Sequence, residues 1–219
     1  MSIVIERSCS LKTKRAAPAV KTPRPYRLGK RAERQADTRR RIVEAALDLH
    51  TTIGPLATTV SAIAERAGVE RLTVYRHFPD EKTLYAACTA HYMARHPPPD
   101  PRSWLSIRDA RDRLVRGLSE QYAWFADNEL RQSALLRDVE TIRARGDLPE
   151  RPPFESPAVD VLSAGWGARG RARDRLRSAI GHALSFYTWR SLVREQKLSR
   201  SDAVHLMVAL VERAANVQA

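Results

Sequence analysis

The chain of 219 residues has few cysteines and no long apolar run. Its two cysteines, Cys9 and Cys88, form no C-x-x-C pair, which argues against a disulfide scaffold and against a cysteine zinc site. No stretch approaches the ~18–20 apolar residues of a membrane-spanning helix. The apolar patch at the start of the chain is broken by Glu6 and Arg7, so it is too short for the apolar core of a signal peptide. We therefore expect a cytoplasmic protein.

Signatures of catalysis are also missing. The chain has no Gly-rich phosphate loop and no G-x-S-x-G nucleophile elbow. His91 and His96 are five residues apart, so they do not share a helix face as a pair of metal ligands must. The sequence thus predicts no enzyme, no cofactor and no metal site.

Positive charge is concentrated at the beginning of the chain. The net charge is +13, and residues 1–41 hold 13 Lys and Arg against three Asp and Glu. Such a segment suits a polyanion, because each neutralised phosphate releases counterions, although a solubilising extension has the same composition. Prolines and the absence of periodicity predict a disordered basic arm over residues 1–35.

Helical periodicity dominates the rest, and strand-like alternation is absent, so the sequence predicts an all-α protein. Helices are expected over Thr38–Thr52, Thr59–Ala67 and Glu70–Arg76, forming a small domain of residues 36–80. A fourth helix starts at Pro79-Asp80 and runs toward Arg95. The proline run after it ends that helix.

Residues 81–219 are expected to form a larger helical domain. Its last two helices are predicted over Arg171–Gln196, without interruption, and Asp202–Val217. Each carries an apolar stripe, and two subunits together could build a four-helix bundle from them. Alternatively, the stripes face only their own core.

The most informative segment runs from Thr59 to Leu84. Thr59 can cap a short helix, and Gly68 sits where that helix must turn through a left-handed conformation. Val74 and Phe78 face inward from a second short helix. This is the layout of a helix-turn-helix, whose second helix enters the DNA major groove.

The segment resembles the tetracycline-repressor (TetR) family of bacterial transcription regulators over about Arg39 to His91. The shared elements are a T-x-x-x-I-A-x-x-A-G-V run from Thr59 to Val69, followed by T-V-Y-R-H-F from Thr73 to Phe78. The resemblance implies a DNA-binding domain, a homodimer through the two C-terminal helices, and a ligand pocket in the second domain. It also implies that Tyr75 and His77 bind phosphates.

Candidate DNA contacts follow from this layout. Arg71 is the strongest, because a guanidinium can bind guanine O6 and N7 together. Other candidates read bases or hold phosphates from the two short helices and their ends: Thr58, Thr59, Ser61, Glu70, Leu72, Thr73, Tyr75, Arg76, His77 and Lys82. His77 could instead be an interior cap for the turn.

Three positions depart from the family pattern. Glu70 stands where a serine cap is common, and it repels phosphate while being able to accept from cytosine N4. Leu72 replaces a small residue and could contact a thymine methyl or pack against the first helix. The order Glu81-Lys82 is reversed, so the phosphate lysine is either Lys82 or missing. These departures concern the operator sequence rather than DNA binding itself.

The second domain supplies aromatic residues that could line a ligand pocket or form an ordinary core. The candidates are Trp104, Tyr122, Trp124, Phe125, Phe154, Trp166, His182, Phe186 and Trp189. The leading hypothesis is a homodimeric repressor, released from a palindromic operator by a small molecule. The alternatives are an inducer-independent or architectural DNA-binding protein, a transcriptional activator, and a helical adaptor without DNA binding.

Overall fold

The computed structural model describes residues 25–144 and 156–216, and these residues form helices and turns without a β-strand. The all-α prediction is confirmed. The α-helices are α1 (Pro25–Thr52), α2 (Val60–Ala67), α3 (Arg71–His77), α4 (Glu81–Arg95), α5 (Ala110–Asp127), α6 (Glu129–Ala144), α7 (Pro157–Ser163), α8 (Gly170–Ala183), α9 (Phe186–Arg190) and α10 (Arg200–Asn216). A 3-10 turn, Pro101–Ser106, precedes α5, and a π-helical turn, Ser191–Glu195, follows α9.

The first helix begins much earlier than its apolar pattern indicates. The sequence predicted a start at Thr38, but α1 starts at Pro25. Proline suits the first helical position, and Ala, Arg, Lys, Gln and Glu are strong helix formers. Residues 29–37 are exposed, so this part of the helix has no apolar stripe for periodicity to detect. The arm predicted over residues 1–35 lies largely outside the described residues.

Backbone contacts divide the chain after Asp37, and the described residues from Thr38 onward form one compact unit. Within that unit, one hydrophobic core joins α1, α2, α3 and the first half of α4; we call this part the head. The head core reaches past residue 80, where the sequence placed a domain boundary. Its buried members are Ile42, Val43, Ala45, Ala46, Ile63, Ala64, Ala67, Val74, Phe78, Leu84 and Cys88.

A second core lies among α5, α7, α8, α9 and α10, which we call the regulatory helices. The fully buried residues include Leu114 and Leu118 of α5, Leu176 and Ile180 of α8, and Val208 of α10. The apolar spacings of α8 and α10 therefore include these buried residues. Leu105, which the spacing groups with Leu114 and Leu118, is instead 60% exposed in the 3-10 turn before α5. Phe154, one of the candidate pocket residues, lies outside the described residues.

The predicted uninterrupted helix Arg171–Gln196 is wrong. The structure ends α8 at Ala183 and begins α9 after Ser185, whose Oγ accepts a hydrogen bond from the Tyr187 amide at 3.2 Å. Thr188 Oγ1 donates to the His182 carbonyl at 2.7 Å and closes the corner. The sequence spacing puts Tyr187 on one stripe with Leu176 and Ile180, but because of this break Tyr187 is exposed.

Candidate nucleic-acid interface

The first helix of the motif is fixed by its two ends. Thr59 Oγ1 accepts a hydrogen bond from the Ala62 amide at 3.1 Å, which is an N-cap. At the other end Gly68 has φ 63° and ψ 44°, the left-handed conformation. Its amide and that of Val69 bind the carbonyls of Glu65 and Ala64, at 3.1 and 3.0 Å. The predicted cap and turn are both confirmed.

Helix α3 has one face that is buried in the head core and another that is exposed to solvent. Val74 and the following Phe78 are buried in the head core. Leu72 is 73% exposed and Tyr75 is 46% exposed, and Arg71 is also exposed. The alternative in which Leu72 packs against the first helix is therefore wrong. With Arg76, these outward side chains form what we call the reading face.

The end of α3 concentrates positive charge. Arg76 Nη2 donates to Thr73 Oγ1 at 3.2 Å, so these two candidates lie side by side. His77 is half-buried, and burial, followed by the charges of Arg76 and Arg39, lowers its pKa. A neutral imidazole can donate one hydrogen bond to a phosphate oxygen without bringing a further cation into the cluster.

The remaining candidates lie at helix ends. Glu70 is the exposed residue before α3 and makes no side-chain cap, as its replacement of a serine predicts. Ser61 and Lys82 are exposed in the first turns of α2 and α4. Thr58 is different, because its hydroxyl donates to the Gly54 carbonyl at 2.8 Å.

Two arginines of α1, which are not among the candidates from the sequence, lie beside α2 and α3. The Arg39 guanidinium lies 4.5 Å from the centre of the Phe78 ring, beside the end of α3. Arg41 Nη1 donates to the Ala67 carbonyl at the end of α2, at 3.1 Å. In the sequence, the three arginines at residues 39–41 contribute to the positive charge of the N-terminal segment. Their position just before the helix-turn-helix could have identified them as candidate DNA contacts.

Helix α6 contacts the loop between α1 and α2 through polar groups. The buried Asp138 accepts a hydrogen bond from the Leu56 amide at 3.0 Å, and Arg137 donates to the Ile53 carbonyl at 3.1 Å. Gly54 between them has φ 94°, and a Cβ there would lie 2.7 Å from Asp138 Oδ2 and against the Arg137 guanidinium. Glycine is thus required by conformation and by space.

Helix α4 also contacts the α5–α6 region. Tyr92 donates a hydrogen bond to Asn128 Oδ1, and the Arg131 guanidinium lies 3.9 Å from the centre of the Tyr92 ring. Trp124 Nε1 donates to the carbonyl of His96, just after α4, at 3.1 Å. These contacts and those of Asp138 and Arg137 join the head to α5 and α6, and we call them the junction.

Most of the predicted pocket residues form a continuous aromatic core. Phe125 has its ring centre 5.4 Å from that of Phe186 and 5.9 Å from that of Trp189. Tyr122 is buried beside them and donates to the Ala183 carbonyl at 3.0 Å. Trp104 is buried and donates to Glu120 at 2.8 Å. These five aromatic residues thus belong to the packed core.

Two predicted pocket residues, His182 and Trp166, lie apart from those rings, and the Nε1–H group of Trp189 is buried without a partner among the described residues. His182 is exposed at the end of α8, outside the aromatic core, and Trp166 is half-buried and donates to the Leu162 carbonyl at 2.9 Å. The buried Trp189 Nε1–H has no acceptor among the described residues. Trp189 is also followed closely by the π-helical turn, a distortion frequent at functional sites.

Comparison with known proteins agrees with this geometry. The sequence model described as bacterial regulatory proteins, tetR family, matches residues 42–88, which lie within the head. The HTH-type transcriptional regulator Mb2274c of Mycobacterium bovis, named as uncharacterised, is 30% identical over 174 residues, covering 78% of this chain and 85% of that protein. The chain belongs to the TetR family. It is a DNA-binding transcriptional regulator of the TetR type.

A second relative and a solved structure that are similar to this chain are also named as regulators. The HTH-type regulator Rv2250c of Mycobacterium tuberculosis, also named as uncharacterised, is 29% identical over the same length and coverage. A solved structure from Clostridium perfringens, named as a candidate fatty acid metabolism regulator, superposes with a TM-score of 0.53 at 13% identity. That match covers 81% of this chain and all of the other, and it shows a similarity of fold alone. Among the described residues, no helix is long and apolar enough to cross a membrane.

Proposed function

We propose that this TetR-family regulator is a cytoplasmic homodimeric repressor, held on a palindromic operator by α3 of each subunit and released by a small molecule bound among the regulatory helices. The reading face of α3 carries the proposal. Its side chains point away from a head core that is complete without them. A surface whose bulky apolar and cationic groups serve no internal packing is suited to base edges and phosphates.

The proposed dimer uses α8 and α10. Helix α10 buries Val204, Val208 and Val211, yet Leu206 is 41% exposed and Leu210 is 52% exposed. These two leucines are one turn apart on the outer side of α10. An apolar row of this kind fits an isologous contact with a second copy, which would place two α3 helices about 34 Å apart on one face of DNA.

The proposed ligand site is the aromatic core around Trp189. Its N–H, which has no acceptor among the described residues, can donate to a carbonyl, ether or hydroxyl oxygen of a ligand, while Phe125 and Phe186 supply apolar walls. The ligand would release DNA only to the extent that it binds the DNA-free conformation more tightly. The junction is the path by which a shift of α6 or α4 reaches the head.

The first experiment selects bound fragments from random duplex DNA at fixed salt concentration. A palindromic consensus is the expected result. On that consensus, Arg71→Ala should lose about 1–3 kcal/mol of binding free energy, and Tyr75→Ala should weaken binding to all sequences more evenly. The control is Arg108→Ala, an exposed arginine outside the motif. Unchanged affinity of both α3 variants would reject the proposed reading face.

Analytical ultracentrifugation at micromolar concentration tests the dimer. The wild type should sediment as a dimer, and Leu206→Glu combined with Leu210→Glu should sediment as a monomer. Leu105→Glu alters another exposed leucine, in the 3-10 turn, and should leave the dimer intact. A monomeric wild type would reject this part of the proposal.

An architectural DNA-binding protein is the second candidate, and the charge of residues 1–41 favours it. In that case binding should be steeply salt-dependent with little preference among sequences. The selection experiment separates the two, since an architectural protein would yield no consensus.

A further inference from the structure

A small cavity lies in the junction, where the end of α1, the middle of α4 and helix α6 meet. Its volume is ≈ 30 Å³, which is room for about two water molecules. It is separate from the aromatic core around Trp189. The lining residues are His50, Pro55, Tyr85, Cys88, Thr89, Arg131, Leu135 and Ile142.

Arg131 brings a buried positive charge to this cavity. Its side chain is 8% exposed, and its guanidinium packs on the Tyr92 ring. Within the described part of the chain it makes no hydrogen bond and no ion pair. The carboxylates of Asp138 and Glu129, on the same helix, are engaged elsewhere, Asp138 with the Leu56 amide and Glu129 with Arg194. A buried cation without a counterion is costly, and an anion in the cavity would remove that cost.

The other titratable groups around the cavity do not supply the missing negative charge. Burial raises the pKa of the Cys88 thiol to about 12 and, together with the Arg131 charge, lowers the pKa of His50 to about 4. Burial also raises the pKa of Tyr92. At neutral pH the thiol, the imidazole and the Tyr92 phenol are therefore uncharged. Among the described lining residues, Arg131 is the cation.

We propose that this cavity binds a small carboxylate, of formate or acetate size, with its two oxygens on the Arg131 guanidinium and its carbon end against Leu135 and Ile142. The planar fork of a guanidinium matches two carboxylate oxygens. The apolar side chains suit a methyl group better than a second charge. The site requires neither the repressor role nor the ligand site at Trp189, so it can fail or hold independently of them.

The bound anion stabilises the junction, because it is held between α6 and the head. Thermal unfolding is followed in sodium acetate, sodium chloride and sodium gluconate at equal ionic strength. Gluconate is too large for the cavity and serves as the reference. When acetate is at about five times its dissociation constant, the expected rise in Tm is about 2–4 °C. Equal Tm values in acetate and gluconate, or an equal rise in chloride, would overturn the carboxylate site.

The variant Arg131→Gln removes the charge and keeps a polar, shorter side chain. It should lose the acetate-dependent rise in Tm, while the surface variant Arg108→Gln should retain it. An acetate effect that persists in Arg131→Gln would place the anion elsewhere and reject the proposal.

A second measurement needs no variant. In wild-type protein at neutral pH, methyl-labelled acetate should show intermolecular nuclear Overhauser effects to the methyl protons of Leu135 and Ile142. Effects to surface methyl groups only, with none to these two residues, would reject the site.

Discussion

Helices α3 and α9 are both short, with seven and five residues, but they use their side chains differently. Helix α3 anchors itself with Val74 and leaves Leu72 and Tyr75 outside. Helix α9 buries Phe186, Thr188 and Trp189. In the head, the proposed binding groups are separate from the core. Among the regulatory helices, the proposed ligand-binding groups are the core, so a change there should alter stability and ligand response together.

The largest effect is expected at Trp189. Replacing it with alanine removes a fully buried ring and should lower the free energy of unfolding by about 3–5 kcal/mol. Trp189→Phe keeps much of the ring and removes an N–H that has no acceptor among the described residues, so its cost should be clearly smaller. Urea unfolding followed by circular dichroism measures both. Equal costs for the two variants would show that the ring is not what stabilises this core.

The junction should respond to pH through His50. Its folded-state pKa of about 4 lies below the ordinary value of 6.5, because burial and then Arg131 disfavour the charged form. The unfolded chain therefore binds more protons between these values. The stabilisation is fully present above about pH 6.5 and is lost as the pH falls to about 4, by about 3 kcal/mol in all.

Urea unfolding across this pH range measures the effect. His50→Phe should flatten that part of the profile, whereas the exposed His205→Gln should not. A His50→Phe profile that stays parallel to the wild type would contradict the assignment.

One buried and one exposed position of α3 test whether its inner and outer faces have separate roles. Val74→Ala creates a cavity in the head core and should cost about 1.5–3 kcal/mol of unfolding free energy. Leu72→Ala should change stability by less than about 0.5 kcal/mol, since that side chain is mostly in solvent. In DNA binding, Leu72→Ala should change the preferred sequence while folding is unaffected. A comparable loss of stability in both variants would mean that the reading face is part of the core.

The smallest effect is expected at Glu70. The backbone there is extended, with φ −75° and ψ 149°, which suits an N-cap, but the glutamate does not cap. Glu70→Ser should raise the free energy of unfolding by about 0.5–1 kcal/mol. It should also strengthen DNA binding at low salt, because it removes a negative charge beside the phosphates. Glu70→Gln removes the charge without supplying a cap, so weaker DNA binding by both variants would indicate a direct contact of Glu70 with a base.

Much of the head could be predicted from the sequence because its signals are local. Thr59 and Ala62 are three residues apart, and Gly68 needs only its own backbone conformation to end α2. Apolar spacing within α3 likewise placed Val74 and Phe78 inside. Apolar patterning failed at α1, whose exposed first turns need no buried stripe. It failed again at Ser185, where a single hydroxyl ends one helix pattern and starts another.

The sequence by itself determined the helical class, the capped and glycine-terminated α2, and the inward position of Val74 and Phe78, because hydrogen bonds and packing between near neighbours decide them. The exposure of Leu72 was decided only by the structure. The tertiary structure alone decided that Asp138 binds the amide of Leu56, 82 positions earlier in the chain, and that Arg131 is enclosed between α6 and α4. On a helix written as a sequence, a charged residue that faces solvent and one that is buried look the same. A charged residue is buried only when a segment distant in sequence packs over it and excludes water. In this protein, such packing of α6 against α4 and the loop after α1 forms the junction and its cavity.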